Sequence, residues 1–320
     1  MSNADAHTPV QEGRWSQIAE RGSLSGMRFT AWAYRTIGRR PAEVLIHCIV
    51  AYFFLTDGAG RRASLAFLRR VHATPEGKRT LGSPPGLWQS FLHYREFGLS
   101  IGDRLAIWFG RSDDFVFDIE AEEYLDRISE SGRGAILVGA HLGSFDALRA
   151  LAARKNSAVN VLMFTRHAQR VNTLFRELSP EVNARVITVR PGSIDSVFEI
   201  RGCIQRGELV AILGDRMEPG DQGHASRVPI LGDLVELPLA PYLLANLLGC
   251  PLLMLLAVRE APGHYSVFCE ELAERVRLPR REREKGAAEL LAAYAERLER
   301  FATRYPYQWF NFFDYWRDDN

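Results

Sequence analysis

Cysteine is scarce in this 320-residue chain: Cys48, Cys203, Cys250 and Cys269 lie far apart, with no C-x-x-C pair among them. That argues against a zinc ribbon or a secreted disulfide framework and points to a reducing compartment. Long apolar runs are missing as well. The most apolar stretch, Pro41 to Leu55, carries Glu43 and His47 and falls short of the roughly 20 residues that span a bilayer, so it reads as a buried or interfacial helix. The polar start, MSNADAHTPVQEGRW, has neither the basic head nor the apolar centre of a secretory signal, and export is not expected. There is no internal repeat and no low-complexity linker. No large charge of one sign exists either, the net value being +1.

What is present is an ordinary globular composition, 47% hydrophobic and 25% charged, enough to bury a core without staples. The near-neutral total hides an uneven distribution: the first third is basic, the rest acidic. The doublets Arg39-Arg40, Arg61-Arg62 and Arg69-Arg70 lie around the apolar run. A nucleic-acid site usually wants a broader basic surface, so anionic lipid headgroups are the better partner and no nucleic acid is expected. The bland alternative is a solvated helix face.

Three segments follow: a flexible N-terminus over 1–27, a helical membrane-proximal extension over 28–112 and an α/β core over 113–320, the last two forming one integrated domain. In the extension, Phe29, Trp32, Ala33 and Ile37, then Leu65, Leu68 and Val71, then Trp88, Phe91, Tyr94 and Phe97 recur at helical spacing. After Asp113-Asp114 short apolar runs alternate with helical ones. Strands are predicted over 135–139, 159–164, 185–189, 209–213, 252–258 and 265–269. Helices are predicted over 146–153, 168–178, 194–205, 239–248 and 287–304. This alternation predicts an α/β fold, a mainly parallel sheet flanked by helices. In such sheets the ligand site lies beyond the carboxyl ends of the strands, so those loops should carry the chemistry.

The first such loop reads Gly139-Ala140-His141-Leu142-Gly143-Ser144-Phe145-Asp146. With His141 in the turn and Asp146 in the first turns of the helix, the carboxylate can take one ring nitrogen and fix the tautomer. The other nitrogen then accepts a proton from an alcohol. A strand-end histidine that merely caps the helix remains the bland alternative. Ser144 lacks the G-x-S-x-G elbow of an exposed nucleophile. Arg166 and Arg216, each just past a strand, suit a phosphate-bearing arm; the competing reading is an ion pair with a neighbouring acid, with Asp215 orienting Arg216. Asp215, Asp221 and His224 match no metal-ligand spacing, so no metal is expected.

These residues resemble the lysophospholipid acyltransferase superfamily, specifically its bacterial lipid A late acyltransferase branch. The resemblance rests on the His-x4-Asp run after a strand, Arg166, Gly214-Asp215-Arg216, Val228-Pro229-Ile230-Leu231-Gly232 and the C-terminal Tyr305-Pro306-Tyr307-Gln308-Trp309. It implies a glycerol-3-phosphate acyltransferase-like fold. It also implies transfer of a fatty acyl group from an acyl carrier protein or coenzyme A thioester to a hydroxyl of a lipid or glycolipid. The donor serves as a substrate, with no cofactor besides. The family pattern makes His141 the base and Asp146 its orienter, with Arg166, Asp215 and Arg216 binding substrate. The expected location is the cytoplasmic face of the bacterial inner membrane, peripherally or weakly anchored. The aromatic extension and the aromatic tail form an acyl groove or interfacial belt, or else pack on the sheet. A thioester or ester hydrolase and a noncatalytic lipid-binding scaffold are the competing functions.

Overall fold

Side chains alternate between two faces along each apolar run, and here both faces are covered. The computed structural model describes residues 39–120, 122–154, 158–164, 185–189, 195–217 and 224–316. Helices α1 (Arg39–Thr56), α2 (Gly58–Ala73), α3 (Pro75–Leu81) and α4 (Leu87–Trp108) come first. Then follow β1 (Val116–Glu120), α5 (Glu122–Glu130), β2 (Ala135–Gly139), α6 (Phe145–Arg154), β3 (Val159–Phe164) and β4 (Arg185–Val189). Next come α7 (Asp195–Gln205), β5 (Leu209–Leu213), β6 (Ala225–Ile230), β7 (Asp233–Pro238), α8 (Ala240–Leu248), β8 (Leu252–Ala261), β9 (His264–Ala273) and α9 (Arg283–Arg304). The segments 1–27 and 28–38 and the predicted helix over 168–178 lie outside the described residues.

The main sheet has seven strands in the order β1-β9-β8-β2-β5-β3-β4. β8, β2, β5, β3 and β4 are mutually parallel, while β9 runs antiparallel to β8 and carries β1 in parallel on its outer edge. This is the expected mainly parallel sheet flanked by helices. Ile136, Val138, Val210, Ile212, Met254 and Leu256 face one core cluster under α8 and α9. Ala135, Leu137, Ala211, Leu253 and Leu255 face a second, which takes in Ile46 and Val50 of α1 and Leu99 and Trp108 of α4. The N-terminal helices thus share a core with the sheet.

Two features escaped the sequence reading. β1 is an edge strand with charged, alternately exposed residues, lacking the apolar run that marks a buried strand. β6 and β7 form a separate antiparallel hairpin whose turn, Leu231-Gly232, has positive φ at both residues (52° and 90°). Asn-Gly or Asp-Gly is the usual signal for such a turn. Leu231 sits there with its amide donating to Glu299 Oε2 at 2.6 Å.

No single described helix is long and apolar enough to cross a membrane; α1 from Pro41 together with α2, bent by 94°, would suffice by length and composition.

Candidate active site

The register of two parallel strands builds the centre. Gly139, the last residue of β2, is paired with Leu213, the last of β5. Two residues further along each chain stand His141 and Asp215. Gly214 donates its amide to Gly139 C=O at 3.0 Å, and a Cβ on Gly214 would come within 2.6 Å of Val138, so a glycine there lets the two strand ends stay together. His141 Nδ1 lies 2.8 Å from Asp215 Oδ1, and the His141 backbone amide donates to Asp215 Oδ2 at 3.0 Å.

Asp215 is fully buried. Burial alone would raise its carboxyl, but His141, the Arg216 charge and the Trp309 indole together hold it well below the usual carboxylate range. The carboxylate is therefore ionised and can only accept, so Nδ1 carries the ring proton and Nε2 offers a lone pair. Burial, then the Arg216 charge, with Arg104 a smaller contributor, lowers the His141 pKa despite the attraction of Asp215. The ring is neutral at neutral pH, and its side chain is 34% exposed. A neutral ring with a lone pair on Nε2 can accept a proton.

The expected partner of His141 was Asp146, and the structure corrects this. Helix α6 does begin at Phe145 and holds Asp146 in its first turn. The Asp146 carboxylate, however, faces other groups: Oδ1 accepts from Trp108 Nε1 at 2.8 Å and from an Arg149 terminal nitrogen at 3.1 Å, and Oδ2 lies 2.6 Å from Arg104 Nε. Two guanidinium groups and an indole offer a buried carboxylate more than one neutral imidazole does. Asp146 ties α4 to α6.

Ser144 caps α6, its hydroxyl accepting from the Ala147 amide at 3.2 Å. It is buried, consistent with a structural role. Gly143 before it adopts φ +77°, and a Cβ there would fall 2.0 Å from Ala257 C=O, so only glycine fits. The Gly143 and Ser144 amides are committed to Gln308 C=O (2.8 Å) and Ala257 C=O (2.7 Å). These two helix-start amides therefore do not point at a developing oxyanion.

Arg216 is near His141 but holds the chain's own tail, donating to Phe310 C=O at 2.7 Å and Asn311 Oδ1 at 2.8 Å with its guanidinium 4.9 Å from the centre of the Phe313 ring. These Arg216 bonds go to the tail, and the Asp215 carboxylate contacts the His141 ring. Arg166 and Asp221 lie outside the described residues; His224 Nδ1 is 3.5 Å from Glu284. The tail is buried rather than displayed. Trp309 is fully enclosed and edge-on to Phe67, and Trp316 stacks on Phe67. Tyr315 O–H donates to Asp215 C=O at 2.8 Å.

Sequence reading also missed a cavity of about 440 Å³ between α6 and the sheet. Its walls are largely apolar, including Leu137, Leu148, Leu151, Ala211 and Leu255, with Arg149 among them. One end reaches Gly139 and Phe145, which flank the His141 turn; the other reaches Arg206 and Glu208, an ion pair with 2.6 Å between Nε and Oε1. The volume lies within the range of small-molecule pockets, roughly 300–1,000 Å³. No periodicity signals such a space, because its lining is drawn from helices and strands far apart in sequence.

No curated protein matches the chain significantly. Residues 93–318 match the family of bacterial lipid A biosynthesis acyltransferases. That span takes in α4 from His93 onward, the whole sheet, His141, Asp215 and the tail that packs on them. By that match the chain belongs to the bacterial lipid A biosynthesis acyltransferase family and is an acyltransferase.

Proposed function

We propose that this acyltransferase moves a fatty acyl group from an acyl carrier protein or coenzyme A thioester to a hydroxyl of a lipid or glycolipid, with His141 as general base and Asp215 as its orienter. The carrying observation is the 2.8 Å contact between His141 Nδ1 and Asp215 Oδ1 at the carboxyl end of the sheet. Nε2 takes the proton of the acceptor hydroxyl as its oxygen attacks the thioester carbonyl. The new C–O bond forms, the C–S bond breaks, and the imidazolium returns its proton to the departing thiolate. General-base catalysis of this kind is worth roughly 10²- to 10⁴-fold. The step needs no cofactor and no acyl-enzyme.

The cavity under α6 suits the acyl chain, since it starts beside the His141 turn and its walls are mainly apolar. The acceptor approaches from a membrane, at the cytoplasmic face of the inner membrane. Val44, Tyr52 and Leu55 on α1 and Leu87 and Trp88 on α4 are large apolar residues left more than 60% exposed, which supports an interfacial face.

Purified protein given carrier protein loaded with a labelled acyl chain, with and without bacterial lipid extract, tests the reading. Label is expected in lipid. Label released only as free acid would establish a hydrolase instead. Unaltered lipid composition and unaltered in vitro transfer in His141→Ala and Asp215→Ala variants, with vesicle binding retained, would leave only a scaffold.

A further inference from the structure

The segment Gln308–Asn311 arrives from the far end of the chain and grips the His141–Asp215 pair from several sides. Phe310 donates its amide to His141 C=O at 3.0 Å, and Gln308 C=O accepts from the Gly143 amide at 2.8 Å, so the tail pairs like a short strand with the catalytic turn. The Trp309 indole N–H donates to Asp215 Oδ2 at 2.9 Å. Gln308 is itself fixed: its side chain accepts from the Arg259 amide at 2.8 Å and donates to Arg259 C=O at 2.7 Å, copying a backbone pair. On the other side, His93 Nε2 contacts Trp309 C=O at 3.0 Å, while Ser90 O–H donates to Ser64 Oγ and Ser64 contacts His93 Nδ1, each at 3.0 Å. A carbonyl can only accept, so the His93 proton sits on Nε2 and the chain of donors runs one way, from Ser90 to Trp309.

We infer that Trp309 is a positioning residue for the reaction: its indole N–H holds Asp215 Oδ2, leaving Oδ1 to aim the His141 ring, and α4 holds Trp309 in place through His93. A buried indole needs some acceptor; here the acceptor is the one carboxylate that sets the tautomer of the base. The inference rests on the reading of His141 and Asp215 as the base and its orienter. Around the pair lie Arg216 at the end of β5, Arg104 on α4, Tyr294 on α9 and Tyr315 in the tail. The two tyrosines stay neutral because burial raises their pKa values; His93, in contact with Trp309 C=O, has its pKa lowered to about 4 by burial, and its own ring resonances distinguish its titration from that of His141.

Trp309→Phe keeps an aromatic ring and removes the donor. With one donor fewer, the carboxylate charge weighs more on Oδ1 and favours the imidazolium, so the acid limb of the kcat/KM profile should move up by about one pH unit. kcat on the plateau should fall about 10-fold with donor KM little changed. In the wild-type protein without substrate, the Trp309 indole proton resonance should titrate with the midpoint of that limb. An unmoved limb in a folded Trp309→Phe protein would overturn the inference, as would an indole resonance indifferent to His141 titration. The resonance requires neither turnover nor a variant. If wild type fails to transfer acyl groups while the indole still titrates, the proposed activity fails and the clamp stands; if wild type transfers and the indole does not titrate, the clamp alone fails.

Discussion

Replacing each carboxylate near His141 with its amide separates the two candidates for its partner. Asp215 accepts three N–H groups: the His141 and Trp309 donors converge on Oδ2 and His141 Nδ1 on Oδ1. Asparagine has one oxygen. Placed at the Oδ2 position, where two donors meet, it leaves its NH₂ facing Nδ1, which must then give up its proton and pass it to Nε2. The base is inverted to a donor on the side where the acceptor hydroxyl arrives. A comparable Asp→Asn change beside a catalytic histidine in serine proteases costs about 10⁴ in turnover. Here we expect a 10³- to 10⁴-fold loss in kcat, about 4 to 5.5 kcal/mol. Asp146→Asn acts elsewhere: it removes the counter-charge of the buried Arg149 and of Arg104. Its cost is in stability, about 3 kcal/mol or more, with kcat per folded molecule within about 10-fold of wild type. The assay is single-turnover transfer from a labelled acyl thioester, normalised by circular dichroism melting for folded fraction. A folded Asp146→Asn enzyme that is inactive beside an active Asp215→Asn enzyme would refute the assignment and restore Asp146.

His93 is fully buried and its pKa is lowered to about 4 by burial, the Trp309 carbonyl opposing only in part. The unfolded chain binds that proton near pH 6.5 and the native protein only near 4, so stability is complete above 6.5 and falls as pH drops through that window, by about 3 kcal/mol; urea titrations from pH 7 to 4 should show the loss, and His93→Gln should flatten it. Ala211→Leu fills part of the cavity under α6 and should shorten the preferred acyl chain by two or three carbons. Each displaced methylene costs about 0.8 kcal/mol, or about fourfold in kcat/KM, and competition between acyl donors of different length would detect it; an unchanged preference would place the chain elsewhere. Gly143→Ala forces a Cβ onto Ala257 C=O at a positive φ and should destabilise by about 3 kcal/mol or more, visible as a lowered Tm; a wild-type Tm would contradict the geometry of the turn.

Composition and periodicity determined much on their own. The apolar runs over 135–139, 159–164, 185–189 and 209–213 coincide with β2, β3, β4 and β5 as found. β2 and β5, in the middle of the sheet and buried along most of their length, show why, since a strand covered on both faces is written as a continuous apolar stretch. The alternation of strands and helices required a parallel sheet, and that sheet put the loop holding His141 at its carboxyl end. What a one-dimensional reading favoured was the nearest acid in sequence, Asp146, whereas His141 contacts an acid 74 residues away. Strand order and register bring the ends of β2 and β5 side by side, and neither is encoded in the spacing of a single loop. The same holds for the tail: read in line, Trp309 and Tyr315 suit a groove or interfacial belt as well as packing on the sheet. The fold instead returns them to Asp215, because hydrogen-bond donors on large apolar rings are most stable where buried acceptors await them. Local pattern therefore decided most of the elements, though not β1 or the β6–β7 hairpin, and which loop carries His141; tertiary pairing alone decided which carboxylate the imidazole meets.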